Sequence, residues 1–318
     1  MTYKPSSSSP SRSGGAFFPY LLALRPHHWT KNLIIFAAPL FNFDFSSAIL
    51  FNSLLAFGLF CGLSSSFYLF NDIVDVEADR RHPVKCNRPI ASGAVPVAVA
   101  FCMAISLLVG TLFIGLMSSP LLGLTLVAYA ALQVAYNLRL KRLVLLDIIT
   151  ISTGFVLRAC AGAAATGIDL SAWFLVCTAM LALFLAIEKR KAELRRGGST
   201  RSVLKRYSLS LLLRLENIAT TGTLMSYAIW SVGSQLGGAT TPWMLLTFPF
   251  VLYGVFRYQL LSDPVETWQN GPGEPAAIEH TERPEKVLLT DRPLLLTVAC
   301  WGITALTILL LEQQGLIQ

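Results

Sequence analysis

The sequence predicts an all-α, polytopic membrane protein with about nine transmembrane helices, and three observations carry that prediction. Hydrophobic residues fill 54% of the 318 positions and charged residues only 14%, a balance that excludes an ordinary soluble domain. Apolar stretches of bilayer-spanning length recur along nearly the whole chain. The cations are also sorted. With an inside N-terminus, the inside segments 1–32, 71–93, 137–142, 187–208 and 257–292 hold 23 of the 25 Lys and Arg. The other two, Arg158 and Arg214, fall within apolar stretches, so the outside loops carry none, as the positive-inside rule expects.

The expected spans, in order, are 19–41, 47–70, 95–117, 120–136, 143–166, 172–187, 209–232, 242–261 and 293–311. Several contain Gly or Pro, which transmembrane helices tolerate. Residues 1–18, with Ser6–Ser9 and Gly14–Gly15, read as a disordered cytoplasmic tail without a cleavage site, and 19–318 as one transmembrane catalytic domain. The net charge of +7 points to anionic lipid and phosphorylated partners at one membrane face rather than to nucleic acid. Six cysteines without a C-x-x-C pair suggest packed thiols, not a zinc site or a disulfide framework.

The chemistry concentrates where the second span ends. Asn71, Asp72, Asp75 and Asp79 form an N-D-x-x-D-x-x-x-D run, followed by Arg80, His82, Lys85 and Arg88. On a continuous helix, Asp residues at i, i+3 and i+7 share one face within roughly 60°. Three such charges repel in a partly buried site unless a cation lies between them. Oxygen-only ligands suit Mg²⁺, which bridges carboxylates to substrate phosphates, and the cations downstream would hold the rest of a diphosphate. The competing reading is a solvated, mixed-charge loop capping a helix.

Further candidates lie elsewhere along the chain. Lys189 and Arg190 open the segment 187–208, beside Glu188 and Glu193; phosphate binding and an ordinary positive-inside loop compete there. Tyr136 and Lys141 flank a short turn, Tyr136 as interfacial anchor or substrate contact. Arg158 lies deep in a span, facing either a cavity or a packing partner. The stretch Arg25-Pro26-His27-His28-Trp29-Thr30-Lys31-Asn32 reads as interfacial, with Trp29 at headgroup level; a lipid-phosphate site and a plain membrane-surface anchor compete there. The segment 262–292 is a lid or a connection.

These residues resemble a known family. Asn71-Asp72-Ile73-Val74-Asp75-Val76-Glu77-Ala78-Asp79 is similar to the first aspartate-rich motif of the UbiA prenyltransferase superfamily. His82-Pro83, Arg88-Pro89, Ala91-Ser92-Gly93, Lys189-Arg190, Tyr136, Leu140-Lys141, Leu157-Arg158-Ala159 and Leu289-Thr290-Asp291-Arg292 look like its decaprenyl-phosphate phosphoribosyltransferase branch. The resemblance implies nine helices around a central cavity open to lipid. It also implies Mg²⁺-dependent transfer of 5-phosphoribosyl from phosphoribosyl diphosphate to a polyprenyl phosphate, in supply of a lipid-linked pentose such as arabinose for surface glycans. Asp72, Asp75 and Asp79 would hold the metal, with Asn71 orienting them. Lys85, Arg88, Lys141, Lys189 and Arg190 would bind donor phosphates, and Lys31 or Arg158 the lipid phosphate. The active face would be the cytoplasmic side of the plasma membrane.

One departure from the wider superfamily bears on the donor. Prenyl-diphosphate users carry a second D-x-x-x-D motif after the sixth helix, whereas no Asp lies between Asp169 and Asp263 here. The alternative enzyme is a prenyltransferase moving an isoprenoid onto an aromatic acceptor, with Glu188 as a weak second ligand. A transporter or lipid scaffold would require an inverted repeat or charges along a transmembrane path, and the sequence shows neither.

Overall fold

Apolar runs of about twenty residues leave the backbone no hydrogen-bond partner but itself, and helix is what forms. In the computed structural model, residues 17–195, 202–233, 237–262, 287 and 290–317 are described. No strand occurs among them. Seven helices are long and apolar enough to cross a membrane: Ser47–Val74 (α3), Val97–Ser118 (α5), Pro120–Leu138 (α6), Leu146–Thr166 (α7), Ala172–Arg195 (α8), the continuous Pro242–Leu261 segment that ends in α10 (Phe248–Leu261), and Arg292–Gln313 (α11). An eighth, α9 (Leu209–Ser231), has 23 residues but carries Arg214, Glu216 and Asn217 in its first half.

The expected span over 19–41 is not one helix, so the count of nine is not met among the described residues. It is divided into α1 (Phe18–Ala23), a 3-10 stretch Pro26–Phe36 and α2 (Ala37–Phe41). The cause is local. Arg25 stands at φ 55°, a left-handed conformation that stops a helix. Pro26 follows it, and a residue before proline is driven out of the α region. Pro39, in turn, withholds a backbone N–H. The tail 1–16 and most of segment 262–292 lie outside the described residues.

The chain divides into two compact units. The first holds residues 1–30 and 61–111, so its described part contains α1, the second half of α3, a short helix α4 (Val76–Arg80) and most of α5. Its core is Ala23, Leu69, Ile90, Val95, Ala100 and Ala104. Ser64-Ser65-Ser66 interrupts the apolar run of α3 without breaking it, because each hydroxyl finds a carbonyl: Cys61 (3.1 Å), Leu24 (2.8 Å) and Ala104 (3.0 Å). A buried hydroxyl so satisfied costs little.

The second unit holds residues 31–60 and 112–318. There α6, α7, α8 and α9 pack in sequence, and α10 packs on α11. Ile148, Phe184, Ile187, Leu212 and Tyr258 form part of its core. Phe113, Leu121 and Leu124 stay exposed, as lipid-facing side chains do. Gly162 sets the closest approach: a Cβ there would lie 2.0 Å from the Ile35 carbonyl oxygen.

Candidate active site

In the first unit, the structure breaks the face expected of the Asp motif and rebuilds it. Helix α3 ends at Val74, and Asp75 (φ −91°, ψ 4°) leads into α4. The three carboxylates therefore do not share one helical face. Asp72 and Asp79 are buried, 4% and 3% exposed, and Asp75 is exposed. A cation does lie between the two buried ones, and it is a side chain. Arg88 Nη1 donates to Asp79 Oδ2 at 2.5 Å and to Asp72 Oδ1 at 3.1 Å. Arg25 Nη2 donates to the same Asp72 Oδ1 at 2.5 Å. Two guanidiniums thus neutralise two carboxylates that would otherwise be too costly to bury together.

Sequence reading missed Arg25 as a member of this cluster, because 47 residues separate it from Asp72. Its left-handed backbone turns the side chain back, and its guanidinium lies 5.2 Å from the Tyr68 ring. The strain is offset by contacts that over-determine the geometry. Trp29 donates its indole N–H to Ser65 Oγ at 3.0 Å, which ties this stretch to α3.

The segment after α4 is built from turns. His82 Nδ1 accepts the backbone N–H groups of Val84 (3.2 Å) and Lys85 (3.3 Å), and a 3-10 turn Lys85–Asn87 delivers Arg88. Lys85 is exposed, and Asn71 is half-buried at the end of α3. Among the described residues no three His, Cys, Asp or Glu side chains converge as a ready-made metal cage. Two buried carboxylates converging on one cation, with an exposed third beside them, nonetheless suit Mg²⁺, which takes one or two carboxylates and completes its shell with water and phosphate oxygens.

The other sequence candidates belong to the second unit, where most are already partnered. Helix α8 runs on to Arg195, so the expected loop 187–208 starts as helix, and Glu188, Arg190 and Lys191 are buried on it. Arg190 Nε donates to Asp147 Oδ2 at 2.8 Å and Nη1 to Glu193 Oε2 at 2.6 Å; only Nη2 is buried without a hydrogen-bond partner. Tyr207 donates to Asp147 Oδ1 at 2.6 Å and accepts the N–H of Leu145 at 2.8 Å. Leu145 itself is left-handed, φ 68°. Burial, and next the bond to Asp147, push the Tyr207 phenol above its ordinary range. The network fixes the end of the 3-10 turn Leu140–Arg142 that carries Lys141. Tyr136 lies within electrostatic reach of Arg190.

Lys191, within the segment for which an ordinary positive-inside loop is one reading, bridges Glu188 (2.8 Å) and Glu216. Glu188 is engaged as an ion-pair partner through Oε1, while its Oε2 is buried without a hydrogen-bond partner. Arg158 donates from Nε to Asn32, from Nη1 to the Gly154 carbonyl and from Nη2 to Tyr129, each at 2.7 Å. Its guanidinium also lies 4.8 Å from the Tyr129 ring. Packing is the role its surroundings supply: three protein acceptors serve a cation otherwise costly at that depth. Lys31 is half-buried beside Asn32 in the chain.

The chain matches the UbiA prenyltransferase family over residues 31–269. It is 36% identical over 290 residues to the decaprenyl-phosphate phosphoribosyltransferase of Corynebacterium glutamicum, covering 88% of this chain and 83% of that protein. It is 36% identical over 297 residues to a protein of the same name from Mycolicibacterium smegmatis, covering 88% of each. Its fold is similar to that of a UbiA homologue from Archaeoglobus fulgidus bound to DMAPP and Mg²⁺, with a TM-score of 0.64 at 17% identity, over 91% of this chain and 98% of that one. The seven apolar helices, the aspartate motif at the end of α3 and these likenesses agree: this chain is a multi-pass membrane protein that belongs to the UbiA prenyltransferase family.

Proposed function

We propose that this protein transfers the 5-phosphoribosyl group of phosphoribosyl diphosphate to a decaprenyl-type polyprenyl phosphate and releases pyrophosphate. The observation that carries the reading is the similarity, along 88% of the chain, to two proteins named for that acceptor and that transfer. The missing second aspartate motif supports it: at the end of α8 the buried cations Arg190 and Lys191 pair with acids, a mixed cluster in place of an aspartate-only one.

Asp72, Asp75 and Asp79, oriented by Asn71, are the groups that would hold Mg²⁺. Bound there, the ion supplies neutralisation of the charge that builds on a departing diphosphate. Lys85 and Arg88 bind diphosphate oxygens, Arg88 as a fork and Lys85 as a point charge. Of the second unit's cations, Lys141 and Lys189 are the proposed phosphate ligands. Arg190 has Nη2 without a hydrogen-bond partner, and Tyr136 and Lys31 remain candidate substrate contacts. The C1–O bond to diphosphate breaks as C1 bonds to the lipid phosphate oxygen. That nucleophile is already anionic, so positioning and electrostatics serve where a general base is not required. The sorted cations support a cytoplasmic active face, where a soluble donor would be available.

The test is donor choice. Detergent-solubilised protein with Mg²⁺ receives either phosphoribosyl diphosphate and decaprenyl phosphate, or a prenyl diphosphate and 4-hydroxybenzoate. A ribosyl lipid from the first mixture alone supports the reading. Prenyl transfer from the second alone overturns it.

A further inference from the structure

Arg88 holds the oxygens that a divalent cation would need. One nitrogen, Nη1, reaches both Asp72 Oδ1 and Asp79 Oδ2, and those carboxylates come from different helices, α3 and α4. Without a cation at that point, two buried negative charges would face each other. A guanidinium and a divalent cation cannot both occupy it, because their charges repel at contact distance.

The two arginines of the cluster differ in how firmly they are held. Arg25 has 21% of its side chain exposed, lies against Tyr68, and sits on a strained backbone that fixes its direction. Arg88 has 31% exposed and sits just past a short 3-10 turn. Its backbone there is extended, φ −62° and ψ 144°, which any residue adopts. Arg88 is the one that can leave.

We propose that Arg88 is the resident counter-cation of the site: it holds Asp72 and Asp79 close together, and yields them to a divalent cation that arrives with a diphosphate. The proposal rests on the reading of these aspartates as a metal–diphosphate site. Metal alone must expel a guanidinium that then exchanges two carboxylates for water only. Metal with diphosphate offers that guanidinium new acceptors, and bidentate phosphate contacts suit it. Arg88 therefore opposes binding of bare metal and favours binding of the metal–diphosphate pair. Asp75, exposed and without a side-chain partner among the described residues, is the carboxylate left open for the ion's first contact.

The experiment uses the full chain in detergent. Mn²⁺ binding is read from loss of the aqueous Mn²⁺ resonance, and labelled phosphoribosyl diphosphate binding is read separately at saturating Mn²⁺. Arg88→Gln is expected to bind Mn²⁺ alone about tenfold more tightly than wild type and the donor about tenfold more weakly, each equivalent to about 1.4 kcal/mol. Arg88→Lys keeps the charge and is expected to leave Mn²⁺ affinity within about threefold. A damaged site would weaken both ligands, so the opposed signs are the signature. Unchanged or weaker Mn²⁺ binding in Arg88→Gln, with wild-type binding abolished by Asp75→Ala, overturns the counter-cation role and leaves the metal site standing. Mn²⁺ binding that is absent, or indifferent to Asp72→Ala and Asp75→Ala, overturns the metal reading and this proposal with it.

Discussion

Two regions of this molecule use the same chemistry, arginine on aspartate, to different ends. In the first unit Arg25 and Arg88 meet Asp72 and Asp79 where the cations remain 21% and 31% exposed. In the second unit Arg190 meets Asp147 with the two side chains 1% and 0% exposed, and Arg158 is also buried among protein acceptors. Water access separates the two cases. A half-exposed guanidinium can exchange its acid partner for water or phosphate at modest cost. A fully buried one has no alternative partner, and removing it strands a charge. Carboxylates that must bind and release a cation belong in the first setting; those that hold helices together belong in the second.

Substitutions should separate these roles, and the largest effect is on activity. Asp72→Ala or Asp75→Ala should lower phosphoribosyl transfer by about 100-fold or more, since each removes a group proposed to hold the ion that stabilises the leaving group, while thermal unfolding in detergent shifts less for exposed Asp75 than for buried Asp72. In the second unit the order inverts. Arg190→Met leaves Asp147 buried with only Tyr207 and should cost about 3–5 kcal/mol of stability, read as a large fall in melting temperature. Tyr207→Phe removes the bond to Asp147 and the acceptor for the left-handed Leu145, and should cost about 1–3 kcal/mol. If Arg190→Met melted normally and lost only donor affinity, the division drawn between the two regions would be wrong.

The smallest effect is a pH dependence at the start of α11. Asp291 caps that helix through the Leu294 N–H at 2.8 Å and pairs with Arg257 at 3.0 Å. Burial alone would raise its pKa, but the Arg257 and Leu294 bonds outweigh it and hold the carboxyl below its ordinary value of 3.8. A depressed carboxylate pKa stabilises the fold above the unfolded-state value, and that stability is lost as pH falls through the folded one. Asp291→Asn should therefore melt lower than wild type at pH 7, with the gap closing as the medium is acidified below about pH 4.

The long helices from α3 onward were legible because spanning runs of apolar residues admit little else, and the aspartate motif because its spacing and its position at the end of a span are local features. Pro26 and Pro39 were visible signals that 19–41 would not form one helix, but hydropathy averaged over them. The break at Asp75 had no Gly or Pro to announce it. Local pattern could not join Arg25 to Asp72 or Tyr207 to Asp147, since those pairs are set by how distant segments pack. Arg190 was read as a phosphate ligand from its position near a span end; that α8 continues past it and buries it against Asp147 depends on tertiary contacts.

The most direct measurement follows the two ends of the donor separately. Phosphoribosyl diphosphate carrying ³²P in its 5-phosphate, and a second sample labelled in its diphosphate, are each incubated with the protein, Mg²⁺ and decaprenyl phosphate, then partitioned between solvent and water. The account predicts that the 5-phosphate label enters the lipid fraction, that the diphosphate label remains in water as pyrophosphate, and that Asp72→Ala abolishes both changes. Diphosphate label in the lipid, or no 5-phosphate label there, would contradict it.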